Sequence, residues 1–291
     1  MKSIFYISII VFSLTACRET KKLIITLPET EKKLAISSVV IPGNILAVSV
    51  SYSFSALLNN KDSSGNNVFN SSLYDQFLVE HALVTVSYNG RTDTLFKIAP
   101  GIYASANILQ VQNETYTLQV HDTATDLRVT SQSTMLPRVS FDTLYFIKTR
   151  TSKDSSLEIH FSVDDDKAKE NYYMVSYYNA AASPIYKALF NNPNKEKFIS
   201  VELYSDKVVD ANGKIKIDKN FIIPDINDTL IVELANISKG YYEFLSAYKK
   251  SDQLIYQVLG EPVTLPTNVI IGYGYFSTYN PSFRIVDLSR L

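Results

Sequence analysis

Apolar and polar residues alternate with a period of two along much of the chain, the signature of half-buried β-strands. Ala82, Val84, Val86 and Tyr88 alternate with Leu83, Thr85 and Ser87. Asn89-Gly90 follows, a pair that tolerates the positive φ of a tight hairpin turn. Leu95 to Ile98 forms the natural partner strand, and Pro100-Gly101 turns the chain again before Ile102-Tyr103. Tyr116, Leu118 and Val120 alternate with Thr117, Gln119 and His121, and Val129 to Met135 reads as a further strand. Short strands with turns every ~8–12 residues predict a β-sandwich of immunoglobulin-like or transthyretin-like type.

Leu136-Pro137 reads as a domain seam, because proline cannot donate to a central ladder. Beyond it, strands are expected at Phe141–Phe146, Leu157–Val163, Tyr172–Tyr178, Phe198–Tyr204, Thr229–Leu234, Val269–Phe276 and Phe283–Val286. Asp164 to Glu170 forms a charged loop between two of them. Ser238 is placed to cap a helix in which Tyr241, Phe244, Leu245 and Tyr248 recur at helical spacing. Lys249 and Lys250 suit the negative end of that helix. The expectation is a mainly β chain: a sandwich over residues 23–137, then a β-rich domain over 138–291 with one short helix. Strands do not alternate regularly with helices, which excludes a doubly wound parallel sheet or an eightfold α/β barrel.

The N-terminus breaks this pattern. Ile4 to Ala16 is an apolar run after a basic start, too short for the ~20 residues a spanning helix needs but suited to a secretory signal. Leu14-Thr15-Ala16-Cys17 resembles a bacterial lipobox, and Cys17 is the single cysteine of the chain. Residues 1–16 then read as a signal peptide, Cys17 as the acylated first residue, and 17–22 as a polar tether. Stable anchoring takes more than one acyl chain, and lipoprotein cysteines usually carry three. No aspartate follows Cys17 to retain the protein in an inner membrane, so the expected location is the outer membrane, lipid-anchored, on either face.

Composition changes the picture mainly by exclusion. Of 291 residues, 46% are hydrophobic and 20% charged, as in ordinary globular chains. The 28 basic and 29 acidic residues balance, leaving no footprint for nucleic acid. Three histidines, His81, His121 and His160, fall on polar phases or at a strand start and are expected at the solvent, without metal-ligand or nucleophilic spacing. Asp164-Asp165-Asp166 lacks the alternating donors, glycine and glutamate of a calcium loop. No Gly-x-Ser-x-Gly elbow occurs. Gly213-Lys214-Ile215 is not a phosphate loop. The glycines of Gly272-Tyr273-Gly274-Tyr275-Phe276 mark a bulge or a close backbone approach rather than a dinucleotide fingerprint. The local patterns therefore nominate no catalytic residue, no cofactor and no metal.

Two kinds of surface position remain. The segment from Leu57 to Glu80 is long and polar with embedded aromatics, which suits partner contact; Asn59, Asn66, Phe69, Tyr74 and Phe77 are its nominated contact residues. Asp-Thr-Leu recurs at Asp93, Asp142 and Asp228, and Asp122-Thr123-Ala124 is similar. These read as turns leading into strands. They also resemble the Asp-Ser/Thr-apolar acceptor for O-glycans, which nominates Thr94, Thr123, Thr143 and Thr229.

Taken in order, several segments resemble a family of Bacteroidota lipoproteins called domain of unknown function 4249. They include Leu23–Pro28, Ala82–Gly90, Pro100–Tyr103, Tyr116–Val120, Asp142–Leu144, Asn171–Val175, Tyr242–Phe244 and Pro266–Asn268 leading to Gly272–Phe276. The resemblance implies an outer-membrane lipoprotein encoded beside a TonB-dependent transporter, and it brings no catalytic residue. The expected role is a non-enzymatic accessory or substrate-capture partner of such a transporter, with the ligand unknown. The alternatives are a structural or adhesive surface lipoprotein and a β-sandwich hydrolase.

Overall fold

A computed structural model describes residues 31–41, 45–53, 76–150, 155–166, 168–179, 199–210, 213–223, 229–251 and 264–291. Cys17, the tether and most of the 57–80 segment, with Asn59, Asn66, Phe69 and Tyr74, lie outside these residues. The described chain is mainly β with one α-helix.

The first sheet holds β1 (Leu34–Ile41), β2 (Ile45–Tyr52), β3 (Ala82–Tyr88), β4 (Arg91–Ala99), β5 (Ile102–Ser105), β6 (Thr115–Asp122) and β7 (Arg128–Thr134). Two late strands, β14 (Val269–Ile270) and β15 (Tyr273–Tyr275), flank it, giving the order β14-β7-β6-β3-β4-β5-β2-β1-β15. It folds over on itself because the chain changes layers at two places. The start of β4 pairs with β3; past Leu95 it pairs with β5 through a bulge between Lys97 and Ala99. At the other edge, β14 pairs antiparallel with β7 and β15 parallel with β1, with only Ile271-Gly272 between them. Strands that switch layers at bends make the corners of a sandwich. The alternation read from the sequence sets which face is inside: Val84, Val86, Tyr116, Leu118 and Val120 are buried together with Leu34, Ile36, Val48 and Val50 in one core. Asn89 and Gly90 both take positive φ, 45° and 70°, as the hairpin turn requires.

The bend at Ile271-Gly272 turns the expected strand 269–276 into two. Asn268 spans it. Its side-chain amide donates to Phe276 O at 2.7 Å and its Oδ1 accepts from Phe276 N at 2.9 Å. Gly274 has φ +87°, and a Cβ there would overlap the carbonyl oxygen of Ile36. A Cβ on Gly272 would lie 2.8 Å from Leu34 O. Both glycines permit the close backbone approach expected of them.

Two smaller sheets follow Pro137. One is β11-β10-β13-β16, from β10 (Tyr172–Asn179), β11 (Ile199–Ser205), β13 (Thr229–Asn236) and β16 (Ser282–Asp287). The other is β12-β9-β8, from β8 (Phe141–Arg150), β9 (Ser155–Asp164) and β12 (Lys214–Ile223). Leu157, Ile159, Phe161 and Val163 of β9 pack on Tyr173, Val175, Tyr177, Val232 and Leu234. The opposite face of the four-stranded sheet meets the first sandwich: Tyr172, Met174 and Ala235 join its core, and Tyr178 and Ile231 pack on Ala47, Ile102 and Ala104. β10 is thus buried at every position, which is why its sequence shows no alternation. The seam at Pro137 does not divide the strands cleanly, since β14 and β15 return to the first sheet. Helix α1 (Lys239–Ser251) starts as read: Ser238 Oγ accepts from Tyr241 N at 3.3 Å. Tyr241 is buried against Phe244, Tyr275 and Tyr279.

Candidate functional site

At one end of the first sandwich several features converge. β1 begins at Leu34, beside Gly272, so the chain enters the fold next to the β14–β15 turn. Ile270 is 59% and Ile271 75% exposed, and Ile271 has φ +63°, a conformation that β-branched residues rarely adopt. A shallow groove of about 430 Å³ runs from this turn along the outer face of β7, β6 and β3, lined by Leu83, Thr85, Gln119, His121, Arg128 and Thr130. Phe96 and Leu83 are also exposed. His121 Nε2 and Arg128 both meet Asp126 Oδ1, at 2.7 and 2.9 Å. Lys33 Nζ lies 5.6 Å from the Tyr273 ring centre, and Lys32 Nζ 3.4 Å from that of Tyr52.

Asp122 ties this end together beneath the surface. It accepts from Tyr52 OH at 2.6 Å, from the Thr125 hydroxyl and from Ala124 N at 3.1 Å. Burial alone would raise its pKa, but these donors outweigh it and hold the carboxylate below its ordinary range. Burial and the Asp122 hydrogen bond push the Tyr52 phenol up to about 12.

The outer face of β8-β9-β12 carries the second cluster, a concavity of about 500 Å³. The register sets Tyr145 opposite His160 and Asp218 opposite His160 on the other side. Tyr145 stacks on the imidazole at 4.6 Å, His160 Nδ1 meets Asp218 Oδ1 at 2.6 Å, and Nε2 lies 3.4 Å from Glu158 Oε2. The Asp218 hydrogen bond raises the His160 pKa above its ordinary value. Lys214 bridges Asp142 at 2.7 Å and Asp164 at 3.3 Å. Ser162 shares this face, but its hydroxyl bonds Asp142 at 3.0 Å and Thr143 at 2.7 Å. The imidazole is engaged with carboxylates and the serine with a different carboxylate, so the geometry is that of an ion-paired surface rather than a joined nucleophile and base. His160 lies on the polar face as read, yet Tyr145 covers most of it: its side chain is only 19% exposed.

A third feature is internal. Glu233 sits in β13 between Ser176 and Phe283, on the face turned toward the first sandwich. It is buried, Tyr178 OH donates to its Oε2 at 2.9 Å, and its Oε1 has no hydrogen-bond partner. Burial pushes its pKa up to about 8. A single glutamate in the apolar run Leu230-Ile231-Val232-Glu233-Leu234-Ala235 was the available signal in the sequence.

The other nominated residues fall as follows. Phe77 packs half-buried against the first core, and its carbonyl accepts from Tyr52 N at 2.7 Å. Thr94, Thr123 and Thr143 are exposed and Thr229 is partly buried; Thr123 also donates to His81 O at 2.7 Å. Asp165 is part of a tied turn, accepting from Tyr173 OH at 2.6 Å and Asn171 Nδ2 at 3.1 Å. Gly213, with φ +80°, closes a turn into β12 in which Gly213 N donates to Asp210 O at 3.0 Å. Among the described residues no group of three or more His, Cys, Asp or Glu is placed to hold a metal ion. Among the same residues no helix is long and apolar enough to cross a membrane.

Comparison with solved structures returns Escherichia coli alpha-2-macroglobulin activated by porcine elastase, at 12% identity and a TM-score of 0.20, over 72% of this chain and 22% of that one. The chain thus spans under a quarter of the length of that protein. No curated protein matches. Residues 20–284 match the family described as "Domain of unknown function (DUF4249)", nearly the whole length of the chain, and the protein belongs to that family.

Proposed function

We propose that this protein is a lipid-anchored cell-envelope protein of the outer membrane, a Bacteroidota lipoprotein that serves a TonB-dependent transporter as a non-enzymatic accessory or substrate-capture partner. The observation that carries the first half is Leu14-Thr15-Ala16-Cys17, where the only cysteine in the chain follows an apolar signal run. Cys17→Ser is expected to shift the protein from the membrane fraction to the soluble fraction. A processed Cys17→Ser chain that stays in the membrane fraction, free of precursor, overturns the anchor.

The partner half rests on tethering and on the scaffold. A lipid anchor confines the chain to the membrane plane and raises its effective concentration near membrane proteins. Rigid β layers that present loops at their ends suit binding work. The ion-paired arrangement around His160 also favours binding over nucleophilic chemistry. Cross-linking in native membranes, followed by purification, is expected to recover an outer-membrane transporter, and deletion of residues 59–75, which spares Phe77 and the buried Val79 of the first core, to weaken the complex. Recovery of the lipoprotein without a transporter, while a known complex is recovered in parallel, moves the assignment to an adhesive surface protein. A complex that survives the deletion refutes the loop as the contact and leaves the partner standing.

A further inference from the structure

We propose that the end of the first sandwich around Ile270 and Ile271 rests on the lipid bilayer, so that the domain is held to the membrane by a protein face as well as by its anchor. The inference rests on the anchored reading above. Three observations carry it.

The first is location. β15 runs parallel to β1 with Ala35 opposite Tyr273, so the residues that enter the fold, Lys32 and Lys33, stand at the same end as the Ile271 turn. If Cys17 holds the lipid, the linker is Arg18 to Glu31, and at about 3.5 Å per residue it reaches roughly 50 Å. A tether of that reach keeps the domain near the bilayer without choosing a face. The face that lies where the tether arrives needs the least extension to touch the lipid.

The second is chemistry. Ile270 and Ile271 are the tip of the turn and are both largely exposed. Tyr273 beside them is half exposed, and tyrosine suits the level of lipid headgroups, where an apolar ring and a polar hydroxyl are both satisfied. Lys33 supplies positive charge at the same place, and Lys32 adds to it in part, its ammonium being offset by the Asp122 carboxylate; positive charge favours anionic headgroups. Arg128 and His121 stand in the groove behind, with Asp126 paired to both, and so add little net charge.

The third is backbone. Ile271 holds φ +63° at a two-residue link where glycine or asparagine would fit with less strain. Strained positions that present a side chain outward cluster at functional sites. Here the side chain presented is a large apolar one that the described residues leave three-quarters exposed.

The absence of tryptophan from the chain gives a clean test. The full lipidated chain carrying Ile271→Trp is placed in vesicles of phosphatidylethanolamine and phosphatidylglycerol, with or without brominated acyl chains. Emission is expected to fall about twofold with brominated lipid, since an interfacial apolar group sits within the headgroup–acyl boundary. Tyr145→Trp, on the outer face of β8-β9-β12, is expected to change little. Equal emission from the 271 indole in both vesicles overturns the proposal. So does an indole that is exposed to iodide on pure vesicles and shielded only in native membranes, because a protein partner then covers the turn. Shielding that depends on protein concentration, without lipid quenching, points to a second copy and overturns it equally. Hydrogen exchange on the unsubstituted lipidated chain provides a second measurement: amides of 269–275 are expected to slow on vesicles, and unchanged rates refute lipid contact. Retention on vesicles reports the anchor separately. A chain that is retained but unquenched sinks only this proposal, and one that is not retained sinks the anchored reading.

Discussion

Glu233→Gln is expected to make the protein more stable than the natural chain at pH 9 and nearly equal to it at pH 5. The carboxyl is buried, with one oxygen bonded to Tyr178 and the other unpaired, and burial raises its pKa from 4.5 to about 8. Between those values the folded chain keeps a proton that the unfolded chain releases, so the contribution is full below about pH 4.5, falls as pH rises and is lost above about 8. A shift of that size corresponds to roughly 4–5 kcal/mol at 1.36 kcal/mol per unit. Glutamine keeps an acceptor for Tyr178 OH and carries no proton to lose. The Tyr241 phenol near Glu233 is itself raised by burial and stays neutral throughout. Urea unfolding of both chains from pH 5 to pH 9 checks this, because groups common to the two cancel in the difference. A stability gap that does not widen across the window would show that Glu233 is hydrated or paired in solution.

Gly274→Ala is expected to cost roughly 3–5 kcal/mol, combining a left-handed backbone position with overpacking against a main-chain atom. The glycine has φ +87°, and the added methyl would overlap Ile36 O across the parallel pairing of β15 with β1. Backbone cannot move aside there without giving up the ladder. Gly90→Ala is the matched control: φ is +70°, but nothing lies within 4 Å. It should cost only about 1 kcal/mol, the left-handed penalty alone. Thermal unfolding would separate the two by on the order of 5–10 °C for a chain of this size. Equal shifts would mean that β15 does not close onto β1.

Much of the fold was legible where one face of a strand is wet. β3 and β6 alternate strictly because their outer residues meet solvent, and the Asn89-Gly90 turn between β3 and β4 announces itself through its backbone requirement. β10 was legible as a strand, but not in its role, since a layer buried on both sides has no period to report. β1 and β2 mix serine with apolar residues around Pro42-Gly43-Asn44, which hides their period. β12 hides its period for a different reason: its Lys214, Lys216 and Lys219 belong to an edge strand, where lysine blocks further pairing, and the charge masks the Ile215–Ile217 alternation. The break at Ile271-Gly272 depends on partners more than a hundred residues away, so no local window contains it. The same holds for the His160 cluster, whose Tyr145 and Asp218 arrive by register on neighbouring strands.

The late return of β14 and β15 also sets a schedule for folding. A chain in synthesis emerges from its N-terminus, so β1 to β7 are available long before residues 269–275. Until those arrive, the edges of β7 and β1 offer unpaired amides and carbonyls, the kind of template on which strands from other chains add. Such long-range closure is slow compared with hairpin formation. Chaperones that hold the half-made sheet apart from its copies would protect the chain during this interval. Truncations designed to isolate the first sandwich would freeze it in that exposed state.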